Sequence, residues 1–307
     1  MSHRLVVTGA VLVTGSACVM AWALAYPATS LTPALVRAVA DGAAVLTLGL
    51  AAVPALDTGR RREEFIRRAS APLVTASAVW LIAELVRLVL AATRTAGADI
   101  TGLRIHTAVE FAVYTAPGRA GLISLTTAAA VCVLATVAAR SGRARVVAAG
   151  LTGVGIVGHP LTGHLSNSSW GGASIAVHAL AAALWCGVLA ALVLTVEHRG
   201  QWARVLPRFS QLSLLCVSVL LAAGVLGASV VISSPSDLYA TGYGRVLSAK
   251  LILTAALMVL AWRNRGSWLP AARAHRTTAV VSRSRAYSEL ALMAVVLAVA
   301  ATLAVTG

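Results

Sequence analysis

The sequence predicts an all-α protein, a polytopic bundle of transmembrane helices, and three observations carry that prediction. The 307-residue chain is 59% hydrophobic and only 11% charged, whereas soluble domains run near a quarter charged. Apolar runs of about twenty residues recur along its whole length, which is what a helix needs to cross the hydrocarbon core. The runs are continuous rather than alternating, which favours helices over barrel strands. No internal repeat, low-complexity tract or soluble insertion separates them, so residues 1–307 read as a single transmembrane domain.

Nine spans are expected. The first covers 5–26, behind a short Ser-His-Arg start. Its Ala23-Leu24-Ala25 resembles a signal-peptidase site, but the run is long for a signal peptide, so an uncleaved helix is expected, with eight spans if it is removed. The second, 35–56, carries Arg37 and Asp41, and the third, 72–92, carries Glu84 and Arg87. The remaining spans are 119–139, 144–160, 173–196, 210–232, 245–262 and 286–305. The stretch between the third and fourth contains an amphipathic piece, Ile105-His106-Thr107-Ala108-Val109-Glu110-Phe111, which reads as a short helix along the membrane surface.

Charge tests this count. The formal net charge is +15, which in a soluble protein would suggest nucleic acid. Here most of the 25 basic residues are arginines clustered in alternate loops. They are Arg60 to Arg68, Arg140 to Arg145, Arg199 to Arg208, and Arg263 to Arg285. That is the positive-inside pattern, with the N-terminus in and the C-terminus out. It makes the lipid bilayer the partner and excludes nucleic acid. Cys18, Cys132, Cys186 and Cys216 all fall in apolar runs with no CxxC or zinc spacing, and read as small buried hydrophobes.

Ionisable residues at bilayer depth are functional candidates by default. No acidic or basic residue lies between Arg145 and Glu197, yet this region holds His159, His164 and His178. Counting a rise of about 1.5 Å per residue, His159 lies roughly 22 Å along its span and His178 about 7 Å below the outer end of the next. The same count puts Asp41 and the single lysine, Lys250, at similar depth, with Glu84 and Arg87 somewhat deeper. Each has a plainer reading. Arg37 with Asp41, and Glu84 with Arg87, are spaced to pair on one helix face. Lys250 is long enough to snorkel to the surface, and His164 sits in a loop. His159 and His178 flank one short outer loop on adjacent helices, and neutral imidazole ligates copper, iron and zinc. His106 and Glu110, four apart, are further candidate ligands. His3, His198 and His275 fall on the cytoplasmic side. Trp185 shares a helix stripe with His178, and Ala181, Ala182 and Gly187 are small enough for close helix approach.

These pieces recur in order: Gly158-His159; His178-x6-Trp185-x-Gly187-x-Leu189; Thr241-Gly242-Tyr243-Gly244-Arg245-x-Leu247-x2-Lys250; and Arg285-x3-Glu289. The set resembles the copper resistance D (CopD) family of bacterial inner-membrane proteins. The resemblance is strongest over 158–307, while the first half shares hydropathy and span number. It implies copper handling in the cytoplasmic membrane, with copper uptake the leading expectation and an extracytoplasmic copper chaperone as partner. Carried over residue by residue, it implies a copper ion at His159 and His178; by position, His164 or the His106–Glu110 segment completes the shell. Trp185, Tyr243 and Lys250 become supporting residues, and the depth count adds Asp41 at similar depth and Glu84 somewhat deeper. The chain departs from a sulfur-lined copper path, since its four methionines, Met1, Met20, Met258 and Met293, form no close pair. With no nucleotide-binding motif, a non-enzymatic carrier is expected, passive, gradient-coupled or partner-driven. Two alternatives stand beside it: a b-type haem electron-transfer protein with two axial histidines, and a factor delivering copper to a respiratory oxidase.

Overall fold

A computed structural model describes residues 3–26, 30–162, 171–231 and 237–306, and no strand occurs among them. Each expected span has its helix: α1 (His3–Ala25), α2 (Leu31–Ala52), α3 (Gly59–Ala96), α5 (Ala116–Val137), α6 (Gly142–Gly158), α7 (Gly171–Thr195), α8 (Arg199–Val231), α10 (Gly242–Arg273) and α11 (Ala279–Thr306). The amphipathic piece is α4 (Ile105–Tyr114), and a single turn, α9 (Asp237–Ala240), precedes α10. Among the described residues, seven helices are long and apolar enough to cross a membrane. Helix α6 is shorter, at 17 residues. In lipid every backbone polar group must be satisfied within the segment, and helices do this. The chain is an all-α, multi-pass membrane protein.

Local chemistry sets the helix ends. Thr115, Ser141 and Thr241 each accept a bond from the amide three residues on, Gly118, Ala144 and Gly244, at 3.0, 3.2 and 2.9 Å. These are N-caps that satisfy otherwise orphaned donors. Helix α3 closes on Gly97, at φ +61°, with Ala98 N–H donating to Thr93 O and Gly97 N–H to Arg94 O. This Schellman arrangement needs a left-handed residue, which glycine supplies at least cost. Helices α3, α8 and α10 run past their apolar segments into arginine-rich sequence. Arginine is a good helix former, so the helix outlasts the hydrophobic run.

The helices group into two compact units. One comprises Met1–Ala38, Leu189–Leu215 and Ile232–Gly307. In it α1 packs on α10 and α11. Ala21, Ala25, Val246, Val299 and Leu303 form a core against which Tyr243 rests, and Arg245 donates from Nε to Leu24 O at 3.0 Å. The guanidinium of Arg283 donates to Val196 O at 2.8 Å, meeting a carbonyl at the C-terminal end of α7.

The other unit comprises Val39–Val188 and Cys216–Val231. Helix α5 packs on α3, α4 and α6. Helices α2 and α7 meet backbone to backbone at two glycines. A Cβ on Gly49 would overlap the Gly187 carbonyl, and one on Gly187 would overlap Val45 O. The close approach expected of Gly187 is thus made against α2. Arg145 differs from its expected place among solvated loop arginines: it is buried. It donates to Leu50 O (3.0 Å), Ile66 O (2.6 Å), Ser70 Oγ (2.9 Å) and Ala139 O (3.2 Å). The last carbonyls of a helix lack internal donors, and one guanidinium with five N–H groups ties α2, α3 and the end of α5 to the start of α6.

Candidate functional site

Asp41, Glu84, His106, His159, His178 and Trp185 all fall in the second unit. Four helices bring polar side chains together there. Glu84, on α3, is 3% exposed. Its Oε1 accepts from Trp80 Nε1 at 3.4 Å and lies 3.3 Å from Arg87 Nη1. The same guanidinium nitrogen stands 3.8 Å from Asp41 Oδ1 on α2. Ser124, on α5, also faces the Glu84 carboxylate. Glu84 Oε2 faces His159 Nε2 at 3.5 Å. The result is a continuous polar chain, Asp41–Arg87–Glu84–His159.

The sequence builds this chain locally. Glu84 and Arg87 are three apart on one helix and meet on one face. Trp80, one turn before Glu84, is fully buried. It packs there because Gly155 on α6 has no side chain, and a Cβ would stand 2.7 Å from the indole ring. Gly155 therefore lets α6 approach α3, and His159, one turn later, reaches Glu84. His159 is the C-cap of α6, followed by Pro160, which cannot continue the α-helical bonding. The negative end of the α6 dipole lies at this residue and favours a cation.

His178, on α7, donates from Nδ1 to Leu220 O on α8 at 2.9 Å. A carbonyl only accepts, so Nδ1 carries a proton. Metal-ligating histidines are commonly held by such a backbone bond. Gly224 makes room for the ring, since a Cβ there would stand 3.2 Å from Nδ1. Trp185 is buried, and its Nε1 has no hydrogen-bond partner among the described residues.

His106 and Glu110 pair with each other on α4 at 3.3 Å, with the imidazole 80% exposed. His164 lies outside the described residues. Tyr243 and the half-buried Lys250 belong to α10, in the first unit. Among the described residues no three His, Cys, Asp or Glu side chains converge as a metal cluster. What the structure assembles is a carboxylate–imidazole pair, Glu84 and His159, with Arg87, Trp80 and Ser124 beside the carboxylate.

One polar pair was not read as a site from sequence. In the first unit Asn264 Nδ2 donates to Glu289 Oε2 at 2.8 Å, and both side chains are buried. In the sequence Glu289 stands out only as a motif residue, and a neutral asparagine on another helix leaves no charge signal to find.

Comparison with known families adds two matches. Residues 28–173 match the model described as copper resistance protein D-like, N-terminal domain, and residues 203–303 match copper resistance protein D. The similarity thus extends through the first half of the chain. Asp41, Glu84, Arg87 and His159 lie in the first match, Tyr243, Lys250 and Glu289 in the second, and His178 and Trp185 between them. No curated protein and no solved structure matches the chain.

Proposed function

The chain belongs to the copper resistance protein D family, and from that premise we propose that it carries copper inward across the bacterial cytoplasmic membrane, loading the ion at Glu84 and His159. The family membership makes it a copper-homeostasis membrane protein; the direction, the site and the non-enzymatic role are our reading. The observation that supports the site is the 3.5 Å between Glu84 Oε2 and His159 Nε2. Two donors bound at about 2 Å to one tetrahedral ion stand roughly 3.3 Å apart. A charge-assisted N–H···O bond is shorter, about 2.7–2.9 Å. The pair is therefore spaced to receive an ion with little movement.

Two donors suit cargo better than a resident metal. A conducting site must bind strongly enough to load and weakly enough to release. Arg87 lies between two carboxylates, 3.3 Å from Glu84 and 3.8 Å from Asp41. When copper takes Glu84, the guanidinium retains Asp41, so no charge is stranded. His178, with its ring held at Leu220, is a further imidazole along the path, and Trp185 limits water nearby. The exposed His106–Glu110 pair on α4 is placed to meet copper from an extracytoplasmic chaperone, with the arginine-rich loops facing the cytoplasm.

Copper accumulation by cells carrying the gene on a plasmid tests this reading. His159→Ala and Glu84→Gln should each lower accumulation severalfold at unchanged membrane levels of the protein, while His198→Ala should match the wild type. Accumulation in the wild type no higher than in cells with empty plasmid defeats it. A Soret band on the purified protein would favour the haem alternative instead.

A further inference from the structure

The first unit holds a second polar site that copper chemistry does not explain. Glu289 is 3% exposed, ten residues into α11, within a segment apolar enough to span the membrane. Among the described residues its one polar partner is Asn264, at 2.8 Å. Beside them is a cavity of ≈ 30 Å³, lined by Glu289, Asn264, Arg265, Ser210, Ser213 and Trp268 among others. By that measure about 10–15 Å³ suffices for one water.

The charged groups around Glu289 are otherwise engaged. Arg265, on α10, lines the cavity but donates to Ser210 O at 2.8 Å and Ser210 Oγ at 2.6 Å. Arg285, one turn back on α11, donates to Ser267 Oγ at 2.9 Å. To the cavity lining helix α8 contributes the Ser210 and Ser213 hydroxyls beside apolar Leu206 and Phe209. Helix α1 meets α11 further along, where Cys18 packs with Ala298 and Ala301. Glu289 thus differs from Glu84, which a guanidinium holds at 3.3 Å. The Asn264 amide matters here, because its NH2 donates to a carboxylate and its carbonyl accepts from a carboxylic acid. One partner can serve both protonation states. The donors are all oxygen or amide, with no soft ligand for copper, and Arg265 at the cavity wall opposes a divalent cation.

From these features we infer that the Glu289 carboxyl is a proton-exchange site, taking up and releasing a proton with water in the cavity. The inference does not depend on the copper site. It supplies the group through which a carrier without a nucleotide-binding motif would respond to a proton gradient.

Dicyclohexylcarbodiimide, an apolar reagent that captures protonated carboxyl groups within membranes, tests it on the full-length protein in lipid vesicles. Labelling is followed by site-resolved mass spectrometry across pH, with exposed Glu110 as the reference for reagent activity. Labelling at Glu289 should be present at low pH and fall by about tenfold per unit above its midpoint, and Glu289→Gln should lose the signal. Glu289 unlabelled at every pH, as a fixed anion, overturns the inference. So does equal labelling at every pH, as a fixed acid. Should the variant fail to fold, the wild-type profile alone decides.

Discussion

Replacing Arg87 by Met removes the guanidinium while keeping most of the aliphatic volume. Among the described residues Glu84 then keeps Trp80, Ser124 and His159, with its side chain 4% exposed. At the 3.3 Å separation of Arg87 and Glu84, an effective dielectric near 20 gives a Coulomb attraction of about 5 kcal/mol. Asp41, 37% exposed and 3.8 Å from the guanidinium, adds a smaller, solvent-screened part. Breaking a buried pair by removing one partner costs about 3–5 kcal/mol, because the other charge remains. Arg87→Met should therefore lose about 3–5 kcal/mol in denaturant unfolding in detergent micelles, followed by helical circular dichroism. Glu84→Gln should cost less, about 1–3 kcal/mol, since Arg87 retains Asp41. Adding Glu84→Gln to Arg87→Met should recover part of the loss, because no charge is then stranded at position 84. A double-mutant cycle isolates that coupling. Strictly additive single effects, or an Arg87→Met variant as stable as the wild type, would refute the ion-pair account.

Three further predictions concern the scaffold. Gly49→Ala should destabilise by about 1–3 kcal/mol or more, since the new methyl meets Gly187 backbone; helix propensity alone would stabilise by about 1 kcal/mol, so thermal unfolding gives the sign that decides. Arg145→Met should cost about 2–4 kcal/mol, as three carbonyls and one hydroxyl lose a charged donor. It should leave topology unchanged, whereas a purely topogenic arginine would show the reverse. Reporter fusions near Gly142 and near Ala98 should read cytoplasm and exterior respectively, and the opposite pair of results would invert the proposed orientation.

The helices were legible because a membrane leaves a continuous apolar run little alternative. Helix α4 was legible from its short amphipathic pattern, and the Glu84–Arg87 pair from a spacing of three. Helix ends were less so: α3 begins at Gly59 rather than at the expected 72, because arginine sustains a helix beyond the hydrocarbon and Pro72 is accommodated inside it. Partner choice was not legible. Depth counting put Glu84 somewhat deeper than His159, and their contact depends on Gly155 and Trp80 setting the approach of α3 and α6. The His178 bond to Leu220 O involves a backbone carbonyl, which no sequence pattern marks. Arg145 is indistinguishable by charge from Arg140 and Arg143, and only the position of the α2, α3 and α5 carbonyls buries it.

The central claim, that copper loads at Glu84 and His159, is tested most directly by equilibrium dialysis of the purified protein against copper, with bound metal read by elemental analysis. The account predicts saturable binding by the wild type, loss of most of it in His159→Ala and in Glu84→Gln at unchanged helical circular dichroism, and full binding in His198→Ala. Wild-type protein that binds no copper, or His159→Ala that binds it as well as the wild type, would contradict the account.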